Sequence, residues 1–152
     1  MFFTKKKTIT AVANGEFHPL ETVNDPVFAQ KMMGDGVALL PKDKQIYSPV
    51  SGRITMISEQ KHGIGIQLKD GTDVLIHMGI DTVELNGAPF DLTINVDEWV
   101  EQGEFLGTMD IEAIKEAGKE TMIMIVCPEK ELKKIVYSQK QAVEKQSELA
   151  VI

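Results

Sequence analysis

Imidazole is the side chain whose ordinary pKa falls within the physiological range. Two of the three histidines of this chain, His62 and His77, lie on either side of an Asp70-Gly71 turn. Two imidazoles brought together suit three chemistries. One ring can act as a nucleophile in phosphoryl transfer while the other steadies the phosphate. Both can ligate zinc, or they can exchange protons in acid–base catalysis. Zinc hydrolysis normally asks for a third protein ligand. His77 to Asp81 reads H-x-x-x-D, but the chain has no H-x-H and His18 is remote in sequence. Cys127 is a second nucleophile type. It ends the apolar run Thr121 to Cys127, where a thiol is normally buried and inert.

The element that must position the histidines is a hairpin. Asp-Gly between two runs of β-formers is a strong hairpin signal, and it favours a two-residue loop. In that register Lys69 opposes Thr72 and Ile64 opposes His77. Period-two alternation then puts His62 and His77 on one face as diagonal neighbours, with backbones about 7–8 Å apart. A slip of one residue would put them on opposite faces.

Around the hairpin the chain offers short strands between turns. They are Thr8 to Ala13, Val37 to Leu40, Gln45 to Tyr47, Arg53 to Ile57, Phe90 to Ile94, Trp99-Val100, Phe105-Leu106, Thr121 to Cys127 and Leu149 to Ile152. Helical signals are few. Asp25 suits an N-cap, Pro26 the first helical position and Gly34 a stop. Asp110 could cap a helix from Ile111 that stops at Gly118, and Pro128 to Lys134 has room for a helical turn or two. Gly34-Asp35-Gly36 lacks the Lys-Ser/Thr of a phosphate loop and leads into a strand, so it reads as a tight turn. The expected fold class is all-β: an antiparallel β-sandwich or barrel-like architecture with a few short helices. The expected organisation is one domain over 1–152, with 1–7 a flexible N-terminal tail.

Composition narrows the function. The 152 residues are 43% hydrophobic and 26% charged, as in ordinary globular chains. A formal net charge of −7 argues against nucleic-acid binding. Lys5-Lys6-Lys7 is the one basic run of three and reads as a solvated tail. Met1-Phe2-Phe3 is too short for a signal h-region, and no apolar run approaches a membrane span. A single cysteine excludes an intramolecular disulfide framework. The default location is cytoplasmic. The methionines read as core filler, although Met32, Met33 and Met78 lie near turns or the histidines and suit an adaptable docking surface.

Five segments together carry a specific resemblance. They are D-P-V-F (Asp25 to Phe28), M-G-D-G (Met33 to Gly36), S-P-V-S-G (Ser48 to Gly52), K-H-G-I-G-I (Lys61 to Ile66) and L-I-H-M-G-I-D-T-V-E-L-N-G (Leu75 to Gly87). In this order and spacing the chain resembles the glucose-type enzyme IIA domain of the bacterial phosphoenolpyruvate-dependent sugar phosphotransferase system. The resemblance runs from about residue 8 to 152. It implies a phosphocarrier in which His77 accepts a phosphoryl group on Nε2 and His62 contacts the phosphate. The donor would be phospho-HPr. The acceptor would be a cysteine on the IIB domain of a sugar permease, with the chain peripheral to that membrane protein. Val27, Phe28 and Ile80 would belong to the docking surface. Gln60, Asp81 and Thr82 stand beside the site. No cofactor and no metal is implied. The alternatives are a regulatory protein-binding module switched by phosphorylation, with its own regulatory partners, and a zinc hydrolase of lysostaphin type. Four positions depart from the family: Gln60 replaces the usual threonine, Gly63 a common alanine, Asp97 a usual glycine and Met122 a usual proline.

Overall fold

The structure is a computed structural model that describes residues 6–152. Its strands, in chain order, are β1 (Thr8–Thr10), β2 (Gly15–Pro19), β3 (Asp35–Pro41), β4 (Gln45–Tyr47), β5 (Gly52–Ile57), β6 (Gly63–Gln67) and β7 (Asp73–Ile80). They continue as β8 (Phe90–Leu92), β9 (Trp99–Val100), β10 (Phe105–Met109), β11 (Glu120–Cys127), β12 (Lys134–Ile135), β13 (Gln141–Val143) and β14 (Glu148–Val151). Two short helices, α1 (Pro26–Ala29) and α2 (Ile111–Glu116), interrupt them. The large sheet has the order β13-β2-β3-β11-β7-β6-β5-β9, and all its pairings are antiparallel. Two three-stranded sheets, β1-β14-β12 and β4-β10-β8, complete an all-β architecture that does not close into a barrel.

Alternation along the central strands builds two apolar clusters. Ile123, Ile125 and Cys127 of β11, with Val74, Ile76 and Met78 of β7, enter the main core between the sheets. The intervening Met124 and Val126 point to the opposite face. There they join Leu20, Val23, Phe28, Ala38 and Ile80 in a smaller cluster. The large sheet is therefore apolar on both sides at its centre. This is why Thr121 to Cys127 reads as a nearly continuous apolar run rather than an alternating one.

The hairpin register differs from the expected one by a single residue. Gly63, not Ile64, opposes His77, and Ile64 opposes Ile76. The loop holds three residues, not two, and closes where Leu68 N–H donates to the Thr72 carbonyl at 2.8 Å. Within it Gly71 N–H donates to the Leu68 carbonyl, the Asp70 carboxylate accepts the Thr72 N–H at 2.9 Å, and Gly71 takes φ +93°. A turn followed by a left-handed glycine is the next most common hairpin solution after the two-residue loop.

Other expectations shift too. The first helix ends at Ala29, well before Gly34, because Lys31 has already turned to φ +60°. Residues 128–134 form no helix: Lys134 instead pairs with Val151 in β12. Of the expected N-terminal tail, residues 1–5 lie outside the described residues. Lys7 is tied down, since its carbonyl accepts from Ile152 N–H at 2.9 Å and its ammonium pairs with Asp70. Among the described residues, no helix is long and apolar enough to cross a membrane.

Candidate functional site

The two hairpin histidines meet. Their ring centroids are 4.9 Å apart at an interplanar angle of 81°, an edge-to-face arrangement. Their convergence does not come from strand alternation. In the observed register His62 sits level with Met78, whose N–H donates to the His62 carbonyl at 2.7 Å, and Met78 points into the main core. His62 lies one residue before β6, in a turn where Lys61 adopts φ +60°. That left-handed residue ends the pleat, and the His62 ring swings over the face that carries His77.

His77 stands near the middle of the large sheet, opposite Met124 on one side and Gly63 on the other. Its Nδ1 lies 3.0 Å from the Gly79 carbonyl. A carbonyl only accepts, so Nδ1 carries the proton, and in the neutral ring Nε2 holds a free lone pair. The backbone after His77 is shaped to make this contact. Gly79 has φ +84°, and Asp81 is left-handed at φ +59°. Thr82 is fully buried, and its hydroxyl donates to the Met78 carbonyl at 2.6 Å. A side chain at Gly79 would meet Thr82 Cγ2 at 2.3 Å, so this position accepts glycine alone without rearrangement.

Phe28 also packs against His77, with ring centroids 4.9 Å apart. Helix α1 places it there. Asp25 caps the helix by accepting Val27 N–H at 2.9 Å, Pro26 occupies the first turn, and Phe28 is delivered to the smaller apolar cluster. Burial, and secondarily the neighbouring His62, push the His77 pKa below its ordinary value. The Gly79 hydrogen bond and the carboxylates of Asp25 and Asp81 oppose part of that shift. Burial also lowers the pKa of His62. Both shifts favour the neutral ring at pH 7, the state a nitrogen nucleophile requires.

His62 is held by Ser58, whose hydroxyl lies 3.2 Å from Nδ1. The sequence offers no signal for this serine, because it acts across a turn rather than along a strand. Gly79 is more legible: a glycine inside a strand pattern marks a bulge or close approach.

The expected docking residues divide. Val27 is 40% exposed, and Met32, Met33 and Val83 add further exposed apolar surface. Phe28 and Ile80 are buried in the smaller cluster and support the site from beneath. Met78 is fully buried in the main core, so its place is not on the docking surface. Asp81 is exposed beside His77, and Gln60 lies in the turn that carries His62. His18 shares the face of His77 through the register row His18–Ala38–Met124–His77, but it stands three strands away and pairs with Glu16 at 2.7 Å. Cys127 is buried, and burial pushes its thiol up to about 11, which makes it inert at neutral pH. Among the described residues no group of three or more His, Cys, Asp or Glu side chains converges as a metal site would require.

An antiparallel sandwich that presents one imidazole with a free Nε2 beside a second imidazole has the groups that histidine-centred group transfer needs. The chain matches the family described as phosphoenolpyruvate-dependent sugar phosphotransferase system, EIIA 1, over residues 7–132. It belongs to that family and is a phosphotransferase component, a phosphocarrier of sugar uptake. It is 42% identical over 123 residues to the glucose-specific EIIA component of Bacillus cereus, covering 81% of this chain and 74% of that one. It is 47% identical over 118 residues to the glucose-specific EIICBA component of Streptococcus pneumoniae. There the match covers 78% of this chain and spans only 16% of the relative's length. Among solved structures it superposes on the glucose permease IIA of Mycoplasma capricolum with a TM-score of 0.90 at 31% identity, covering 99% of this chain and 98% of that one.

Proposed function

We propose that His77 is the phosphoryl acceptor and that the donor is phospho-HPr. Nε2 of His77 forms a bond to phosphorus as the histidine–phosphorus bond of HPr breaks. In the second step a cysteine thiolate of a IIB domain takes the group, and the His77 nitrogen–phosphorus bond breaks. The observation that carries this reading is the Nδ1 contact to the Gly79 carbonyl, which leaves Nε2 unprotonated beside a second imidazole.

The bound phosphoryl group adds a charge of about −1.5 to −2, by analogy with hydroxyl phosphoesters. His62 is the group at hand to hydrogen-bond its oxygens. We take the exposed Val27, Met32, Met33 and Val83 as the apolar rim on which donor and acceptor dock in turn. Such a rim excludes water and limits hydrolysis during transfer. We take 1–152 as one EIIA unit that works in the cytoplasm, peripheral to a membrane permease. The relatives named for glucose make a glucose-type IIB domain the first acceptor to assay.

Incubation with phospho-HPr should give an acid-labile phosphoprotein that is lost in His77→Gln. The variant His62→Gln should still take the label but pass it to IIB poorly. A fully labelled His77→Gln protein would overturn the assignment.

A further inference from the structure

The turn between β5 and β6 is wound around one serine. Ser58 N–H donates to the Gly63 carbonyl at 2.9 Å, and the Ser58 carbonyl accepts from Lys61 N–H at 2.8 Å. Its side-chain oxygen accepts from Gly63 N–H at 3.0 Å and lies 3.2 Å from His62 Nδ1. A hydroxyl has one hydrogen to give. The Gly63 N–H already points at the oxygen, so the Ser58 hydrogen is free to turn toward Nδ1.

We propose that Ser58 is a positioning residue for phosphoryl transfer: its hydroxyl donates to Nδ1 of His62 and so places that ring's single proton on Nε2, the nitrogen left to meet the phosphoryl group. This rests on the reading of His77 as acceptor and adds what prepares its neighbour. The two rings then hold complementary tautomers. In His77 the Gly79 carbonyl keeps the proton on Nδ1 and frees Nε2 to bond phosphorus. In His62 the serine keeps the proton on Nε2, ready to donate. The neutral state of His62 makes the choice of tautomer matter, because an imidazolium would donate from both nitrogens.

The serine also accounts for the departure at Gln60. The family's usual threonine would bring a hydroxyl two residues before the first histidine. This chain carries an amide there and brings its hydroxyl from four residues before, across the turn, with Lys61 in the left-handed conformation that closes it. Gly63, where alanine is common, is not needed for space: an added Cβ would meet nothing nearer than the Ser58 hydroxyl at 3.6 Å.

The test is a pair of measurements on the full chain. With nitrogen-15-labelled histidine, the wild-type His62 should show protonated Nε2 and bare Nδ1. Ser58→Ala should give a mixture of tautomers, and Ser58→Thr should restore the wild-type pattern. In transfer from the phosphorylated chain to a IIB domain, Ser58→Ala should be roughly three- to tenfold slower, the effect of one lost hydrogen bond, while still taking up the full label from phospho-HPr. In a His62→Gln background the same change should cost nothing further. A wild-type His62 protonated on Nδ1 would overturn the proposal without any variant, as would an equal loss of transfer in the His62→Gln background. Failure of the acceptor assignment would look different: His77→Gln would keep its label whatever the tautomer of His62.

Discussion

The ring of Phe28 lies against the ring of His77, centroid to centroid at 4.9 Å and tilted by 56°. Phe28 is also the residue that anchors helix α1 to the smaller apolar cluster. One side chain thus links the helix bearing the exposed Val27 to the imidazole on the sheet. Phe28→Ala should lower stability by about 3 kcal/mol, at the low end for loss of a buried aromatic. It should also admit water to His77 and raise its pKa toward the ordinary value of about 6.5. Urea unfolding and an NMR titration of His77 check the two halves separately. An unmoved His77 titration would show that the burial comes from elsewhere.

Gly79 combines a left-handed φ with a close approach to Thr82. Gly79→Ala should cost about 1–3 kcal/mol from backbone strain alone. The forced shift should also move the carbonyl that orients His77. The expected result is a folded but less stable chain whose rate of labelling by phospho-HPr drops more than its affinity for unphosphorylated HPr. Labelling kinetics together with a binding titration separate the two effects.

The histidines make stability fall in acid. Both rings have pKa values lowered by folding, so the folded state disfavours the imidazolium. Their contribution is complete above the unfolded-state value of about 6.5 and is lost as pH falls through the lower folded-state values. Between pH 7 and pH 5, the wild type should therefore lose more stability than a chain carrying both His62→Gln and His77→Gln. Denaturant midpoints at the two pH values measure this. Labelling of the wild type should also fade on acidification, as protonation of Nε2 removes the nucleophile.

Docking should be separable from folding. Val27 is exposed on α1 next to Phe28. Val27→Glu removes little buried area, so its stability should stay within about 0.5 kcal/mol of wild type. A charge on the apolar rim should nonetheless slow labelling by phospho-HPr by about tenfold or more, as desolvating an unpaired carboxylate opposes the encounter. Unchanged kinetics would place the docking surface elsewhere.

Much of this arrangement is legible in the residues. The Asp70-Gly71 turn, the β-formers on either side and the cap at Asp25-Pro26 announce the hairpin and helix α1. The convergence of the histidines is legible for a reason that does not hold in the fold. Alternation in a two-residue hairpin would align them, but the actual loop has three residues and that register would separate them. The left-handed turn at Lys61 restores the meeting. Nothing in the type of Lys61 marks it for positive φ, since the conformation is imposed by the four hydrogen bonds around Ser58. Asp97 is a readable counterpart. It stands where glycine is usual, adopts φ +77°, and its carboxylate receives a hydrogen bond from Arg53 at 2.8 Å. A left-handed backbone suits glycine, and an aspartate adopts it here because its short side chain tolerates that region. The segment after Pro128 misleads because its charged residues suit an exposed helix as well as an edge strand.

The centre of the large sheet has one further consequence. β11 is hydrogen-bonded to β3 on one side and β7 on the other, with apolar clusters above and below. Amide protons there should exchange only when the whole domain opens, whereas the Ser58–His62 turn, beyond the Met78 N–H bond to the His62 carbonyl, is wound by its own local bonds. β7, which carries His77, is itself flanked by β11 and β6, so the two imidazoles should differ in the opening free energy of the backbone beneath them. The ring proposed to carry the covalent bond is then expected to ride on slowly exchanging backbone, and its neighbour on a segment that loosens and re-forms between global unfolding events.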